Sequence, residues 1–122
     1  MSKQEELSRM IKELRENVPD INGVLIATVD GLSIATDFSE DESARVAAMA
    51  ASSIGLGNRI SSTAEIGAMK DMMIEGRDGL LIMYMAGSAG VLALRAVDHA
   101  NLGLIRLEGP KTARKAASIM ES

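Results

Sequence analysis

Residues 29 to 36 read VDGLSIAT, and residues 77 to 84 read RDGLLIMY. In each, an Asp-Gly pair stands between two short apolar runs, a setting in which these residues suit the φ > 0 positions of a tight hairpin turn. Asp30-Gly31 and Asp78-Gly79 are therefore read as turns rather than as catalytic aspartates. The first joins a strand at 24–29 to one at 32–36, and the second joins a strand near 69–76 to one at 80–86.

Working outward, residues 2–18 carry Leu7, Met10, Ile11, Leu14 and Val18 at helical spacing, with charged and polar residues elsewhere. This spacing predicts a surface helix with one buried face, opened by a capping box of Ser2 and Glu5. Pro19, Asp20, Asn22 and Gly23 end it. The following VLIATV has β-branched residues on both faces, as a sheet covered on both sides requires. Residues 39–67 then read as a long helix, with Ser39 and Glu42 spaced as a second capping box, Glu40 and Asp41 favoured by the helix dipole, and Gly67 as its stop.

That helix is small on almost every side: Ala44, Ala47, Ala48, Ala50, Ala51, Ser52, Ser53, Gly55 and Gly57. Glycine inside a helix costs about 1 kcal/mol relative to alanine, so close approach of another backbone is expected to compensate, from within the domain or from a second copy. MKDMMIEG, LLIMYMA and AGVLALRAV supply three more strands as an antiparallel meander, with Gly87, Ser88 and Gly90 in its second connection. A strand near 69–75 at the edge would present unpaired backbone groups. Asp98 or Asn101 caps a last helix packed through Leu102, Ile105, Ala113, Ala116, Ala117 and Met120, and Gly109-Pro110 is expected to kink or divide it.

The 122 residues suit a single domain spanning 1–122, long enough to bury roughly two-thirds of its unfolded surface. With one Phe, one Tyr, no Trp and a net charge of −4, the chain lacks stacking platforms and any electrostatic pull toward a phosphate backbone, so nucleic acid is not an expected partner. Without cysteine there are no disulfides, thiolate metal sites or thiol nucleophiles. The charged start MSKQEELSRM is no signal peptide, and LLIMYMA is too short to cross a membrane. A cytoplasmic protein without membrane insertion is the expectation.

No enzyme motif emerges. His99 is the only histidine, no G-x-S-x-G elbow occurs, and Gly55-Leu56-Gly57 neither follows a strand nor has the third glycine of a dinucleotide loop. GPKT at 109–112 has Pro110 where a phosphate loop needs lysine. The expected cofactor, metal and catalytic sets are none.

The order is helix, two strands, long helix, three strands, helix. INGVLIATVDGLSIAT at 21–36, the alanine-rich helix at 44–60, IEGRDGLLIMYM at 74–85 and ANLGLIRLE at 100–108 follow one another in the order and spacing of a known family. The chain resembles the roadblock/dynein light chain domain family, particularly its small prokaryotic members related to the gliding-motility partner of a Ras-like GTPase. The resemblance implies an α+β sandwich, α-β-β-α-β-β-β-α. Its five-stranded antiparallel sheet is ordered 2-1-5-4-3, with the long helix on one face and the terminal helices on the other.

It also implies a homodimer joined through the strand matching 69–75 and the middle helix, hence through Ala44, Ala47, Ala48, Ala51, Met69, Met72, Met73 and Ile74. The implied function is that of a noncatalytic regulatory platform for a small Ras-like GTPase, with Arg45, Ser52 and Arg59 toward the partner and stimulation of GTP hydrolysis as its activity. A nucleotide-independent scaffold subunit is the alternative, and a ligand sensor or unrecognised enzyme, suggested by the methionine cluster, is a third reading. The Gly109-Pro110 break departs from the family's uninterrupted last helix.

Overall fold

A computed structural model describes all of residues 1–122. Helix α1 (Lys3–Asn17) starts with the expected capping box: Glu5 N–H donates to Ser2 Oγ, and Ser2 N–H donates to the Glu5 carboxylate. Strands β1 (Ile21–Thr28) and β2 (Ser33–Thr36) form the first hairpin, and helix α2 (Glu40–Thr63) follows. Then come β3 (Met72–Glu75), β4 (Gly79–Ala86), β5 (Gly90–Val97) and helix α3 (Leu102–Glu121). The sheet is antiparallel with the expected order β2-β1-β5-β4-β3.

Strand alternation divides the core in two. Val24, Ile26, Ile82, Tyr84, Leu92 and Leu94 pack beneath α1 and α3, while Leu25, Ala27, Met83, Val91 and Ala93 pack beneath α2. The near-continuous apolar runs of β1, β4 and β5 follow, because both of their faces are covered. Each large side chain fully buried here contributes about 1.5–3 kcal/mol.

The two Asp-Gly pairs are not the same device. At the first, Gly31 N–H donates to Thr28 O at 2.9 Å, Thr28 N–H donates to Leu32 O at 2.9 Å, and Gly31 has φ +92°. This is a turn closed by a left-handed glycine, and Asp30, expected at φ > 0, does not adopt it. At the second, Gly76 N–H donates to Gly79 O at 2.8 Å, so the turn is Arg77-Asp78 and Gly79 already belongs to β4. A Cβ on Gly79 would stand 2.8 Å from Ala96 O. Close approach of β5, not turn geometry, requires that glycine. The strand expected to start near 69 begins at Met72.

Helix α2 stops before Gly67. Ile66 N–H reaches Ser61 O and Glu65 N–H reaches Ser62 O, with Glu65 at φ 57° in the position usually given to glycine. At its start, Ser39 Oγ accepts from Glu42 N–H, but the Glu42 carboxylate takes the Ser39 hydroxyl instead of its backbone N–H, so the second capping box is only half formed. Asn101 Oδ1 caps α3 by accepting from Leu104 N–H at 3.0 Å.

The break expected at Gly109-Pro110 does not divide α3, which runs continuously with Pro110 inside it. A residue before proline is pushed out of the helical region partly by its own Cβ, and Gly109 has none. Its bare backbone also seats α3 on Tyr84: a Cβ there would lie 2.6 Å from Tyr84 Cε2.

Candidate protein-docking surface

Helix α2 has two unlike sides. Ala47, Ala50, Ala51, Ile54 and Gly57 turn toward the sheet and are buried. Met49, Leu56 and Ile60, spaced by seven and four residues, share the opposite side and are 60%, 54% and 52% exposed. An isolated exposed leucine needs no account, but three large apolar side chains in one helical stripe form a surface suited to a partner. Ala48 meets the tip of the first hairpin, since a Cβ on Gly31 would be 3.2 Å from Ala48 Cα.

The residues expected at a docking surface divide accordingly. Ala47 and Ala51 are only 0% and 8% exposed and lie on their own sheet, offering little to a second molecule. Ala44 and Ala48 are open, and Arg45, Ser52 and Arg59 are exposed on the outer part of the helix. Arg45 Nε donates to Asp41 O at 3.2 Å. The stripe itself was missed by sequence reasoning. Its spacing was visible, but small residues on every side of α2 hid which side was wide enough to matter.

Beside the C-terminal half of α2 runs the sheet edge. Met72 and Met73 are half-buried in β3, while Ile74 is 55% exposed. Hydrogen-bonded pairs alternate along an antiparallel ladder, and the Gly76–Gly79 bond sets their phase. Ile74 and Met72 therefore bond to β4, and Met73 and Glu75 present their N–H and C=O groups outward. Met69 lies outside the strand with its sulfur against α2: a Cβ on Gly57 would be 2.6 Å from Met69 Sδ and 3.2 Å from Met72 Sδ.

A charged cluster fixes the start of α2 to the sheet. Arg95 lies over the Phe38 ring at 4.5 Å, donates from Nε to Asn22 Oδ1 at 2.9 Å and from Nη2 to Asn22 O at 3.1 Å, and stands 3.5 Å from the Glu42 carboxylate. The glycine that precedes Val24 makes the space: a Cβ on Gly23 would meet Phe38 Cε1 at 2.8 Å. His99 is exposed and pairs with Asp98 at 2.9 Å, a bond that holds the Asp98 carboxyl below its ordinary pKa. Burial, helped by the charge of Asp71, pushes the Tyr84 hydroxyl up to about 12. No helix is long and apolar enough to cross a membrane.

Residues 7–96 match the family model described as Roadblock/LC7 domain. Uncharacterized protein MJ1340 of Methanocaldococcus jannaschii is 33% identical over 110 residues, covering 89% of this chain and 95% of its own length. Among solved structures, a Roadblock/LC7 domain from Streptomyces avermitilis superposes with a TM-score of 0.87 at 20% identity, covering 94% of this chain and 98% of that one. The gliding protein mglB from Thermus thermophilus superposes with a TM-score of 0.86 at 17% identity, covering 99% and 93%.

Proposed function

The chain belongs to the Roadblock/LC7 domain family, and from that premise we propose that it is a noncatalytic, cytoplasmic, homodimeric platform that docks a small Ras-like GTPase. The observation that carries this reading is the exposed Met49–Leu56–Ile60 stripe on α2, taken together with the open backbone edge of β3. The stripe gives two copies, or a copy and a partner, apolar area to bury, and the edge strand gives them a ladder to share. Likeness in fold to a gliding protein supports the choice of partner.

Stimulation of GTP hydrolysis follows on this reading from ordering the GTPase's own catalytic groups. An arginine inserted from Arg45 or Arg59 is the weaker account, and the Arg45 guanidinium is already engaged by Asp41 O within its own helix. The test is affinity capture from native lysate, run once with a nonhydrolysable GTP analogue and once with GDP, using the wild-type chain and Leu56→Asp as baits. Preferential capture of a Ras-like GTPase in its GTP form, lost with Leu56→Asp, is the expected result. Capture of the same proteins in both nucleotide states would replace this reading with a nucleotide-independent scaffold.

A further inference from the structure

Strand β4 is longer than the strand on its outer side. Its ladder with β3 ends at Met72↔Met83, whereas its ladder with β5 continues to Ala86. Residues 84–86 are therefore paired on one side only. The β3 register, carried on, would place Asp71 opposite Tyr84, Lys70 opposite Met85 and Met69 opposite Ala86. By the ladder's alternation, Lys70 and Met85 are the next residues that would exchange backbone hydrogen bonds.

Met69 does not continue that pattern. In an extended strand, side chains two residues apart share a face, so Met69 would join Asp71 and Met73 on the α1/α3 side of the sheet. Its sulfur lies instead on the α2 side, in the space left by Gly57. Docking on Gly57 and pairing with β4 require opposite faces, so the two states exclude each other.

The unzipped state leaves a polar group stranded. Tyr84 is 3% exposed, and its hydroxyl is buried with no hydrogen-bond partner. Asp71, on the same side of the sheet, is held 3.4 Å from Arg106 Nε, across from α3. A non-hydrogen-bonded ladder pair brings opposing side chains to their closest approach, and Asp71 and Tyr84 would form such a pair. A buried donor without an acceptor favours any rearrangement that supplies one.

We propose that Met69 is a latch: when it leaves Gly57, residues 69–71 zip onto β4, Asp71 accepts the Tyr84 hydroxyl, and the docking edge lengthens from 72–75 to 69–75 for pairing with a second copy of the chain. The consequence for assembly rests on the homodimeric reading above, but the zipping does not.

Residue-resolved amide exchange on the full chain, at a concentration where it is monomeric, tests the latch. Gly57→Ala fills the space that the Met69 sulfur occupies, and Met69→Ala removes the sulfur without adding atoms. In both, the Lys70 amide should exchange about tenfold more slowly than in the wild type, the effect of one net backbone hydrogen bond. Lys70→Pro placed in the Met69→Ala background should abolish any accompanying gain in self-association, because it deletes the donor to Met85. Wild-type exchange at Lys70 in Met69→Ala, with the rest of the sheet still protected, overturns the proposal even if Gly57→Ala proves unstable. Slowed Lys70 exchange in a chain that stays monomeric at every concentration establishes the zipping and overturns the second-copy consequence together with the homodimeric reading.

Discussion

The sheet has two edges made of equally short strands, β2 and β3, and the chain treats them differently. On β2 the register slips between Ile26↔Ala35 and Ala27↔Ser33, leaving Ile34 as a bulged residue without a cross-strand partner. Its outward C=O is taken by Gln4 Nε2 at 2.8 Å, and Arg15 of α1 pairs with Asp37 just past the strand. Bulges and side-chain caps of this kind make an edge unfit as a template for another strand. On β3 the ladder is regular, and Met73 and Glu75 point their backbone groups outward beside an exposed Ile74. The difference separates the edges physically: β2 is bulged and capped, whereas β3 is left regular and open, the kind of edge that can take another strand.

The largest expected effect breaks that contrast directly. Met73→Pro removes an outward N–H that the chain's own ladder does not use, so the fold should persist while pairing through β3 is blocked. Ile34→Pro makes the matching change at the bulge, a position where proline is tolerated. Sedimentation should show self-association weakened by at least about tenfold for Met73→Pro, the worth of a lost ladder hydrogen bond, and unchanged for Ile34→Pro. The opposite pattern would exchange the roles of the two edges.

A smaller effect sharpens the contrast from within. Tyr84, whose hydroxyl is stranded on the β3 side, is the chain's only tyrosine, so phenolic absorbance reports it alone. It should titrate near about 12 in the folded protein and about 10 in urea. Because the folded phenol keeps its proton to higher pH, its contribution to stability is complete below the unfolded value and is lost as pH rises from about 10 through about 12. Tyr84→Phe should remove that alkaline loss from the pH dependence of the urea midpoint. A folded-state titration at the unfolded value would mean that solvent reaches the hydroxyl.

Much of this was legible in the sequence, and the failures share a cause. The capping box of Ser2 and Glu5, the buried stripe of α1 and the cap at Asn101 depend on neighbours a few residues away, and the structure forms them as expected. The sheet order was implied by the family resemblance that the ordered motifs carry, not by the spacing of any of them. Gly79, Gly109 and Met69 were misread because their reasons lie in distant parts of the chain: Ala96 O, the Tyr84 ring and the Gly57 niche. An Asp-Gly pair looks the same whether its glycine bends backward or admits a neighbouring strand. The outer side of α2 was hidden for a related reason: small residues lie all round the helix, and only its packing on the sheet decides that Ala47 and Ala51 are buried while Met49, Leu56 and Ile60 face out.

The smallest expected effect concerns the guarded edge and separates its two devices. Gln4→Ala deletes the side-chain bond to Ile34 O but leaves the bulge intact. The bond is exposed, so its loss should cost only about 0.5–1 kcal/mol and lower the melting temperature by about 2–4 °C. Assembly should not change, because the bulge still breaks the regular spacing that an incoming strand would need. If light scattering instead shows Gln4→Ala growing beyond the wild-type assembly, the amide cap was the guard and the bulge only shaped the edge for it. Either result says how β2 is silenced. Only the first leaves the asymmetry between the edges written in the backbone itself, where no single surface side chain can undo it.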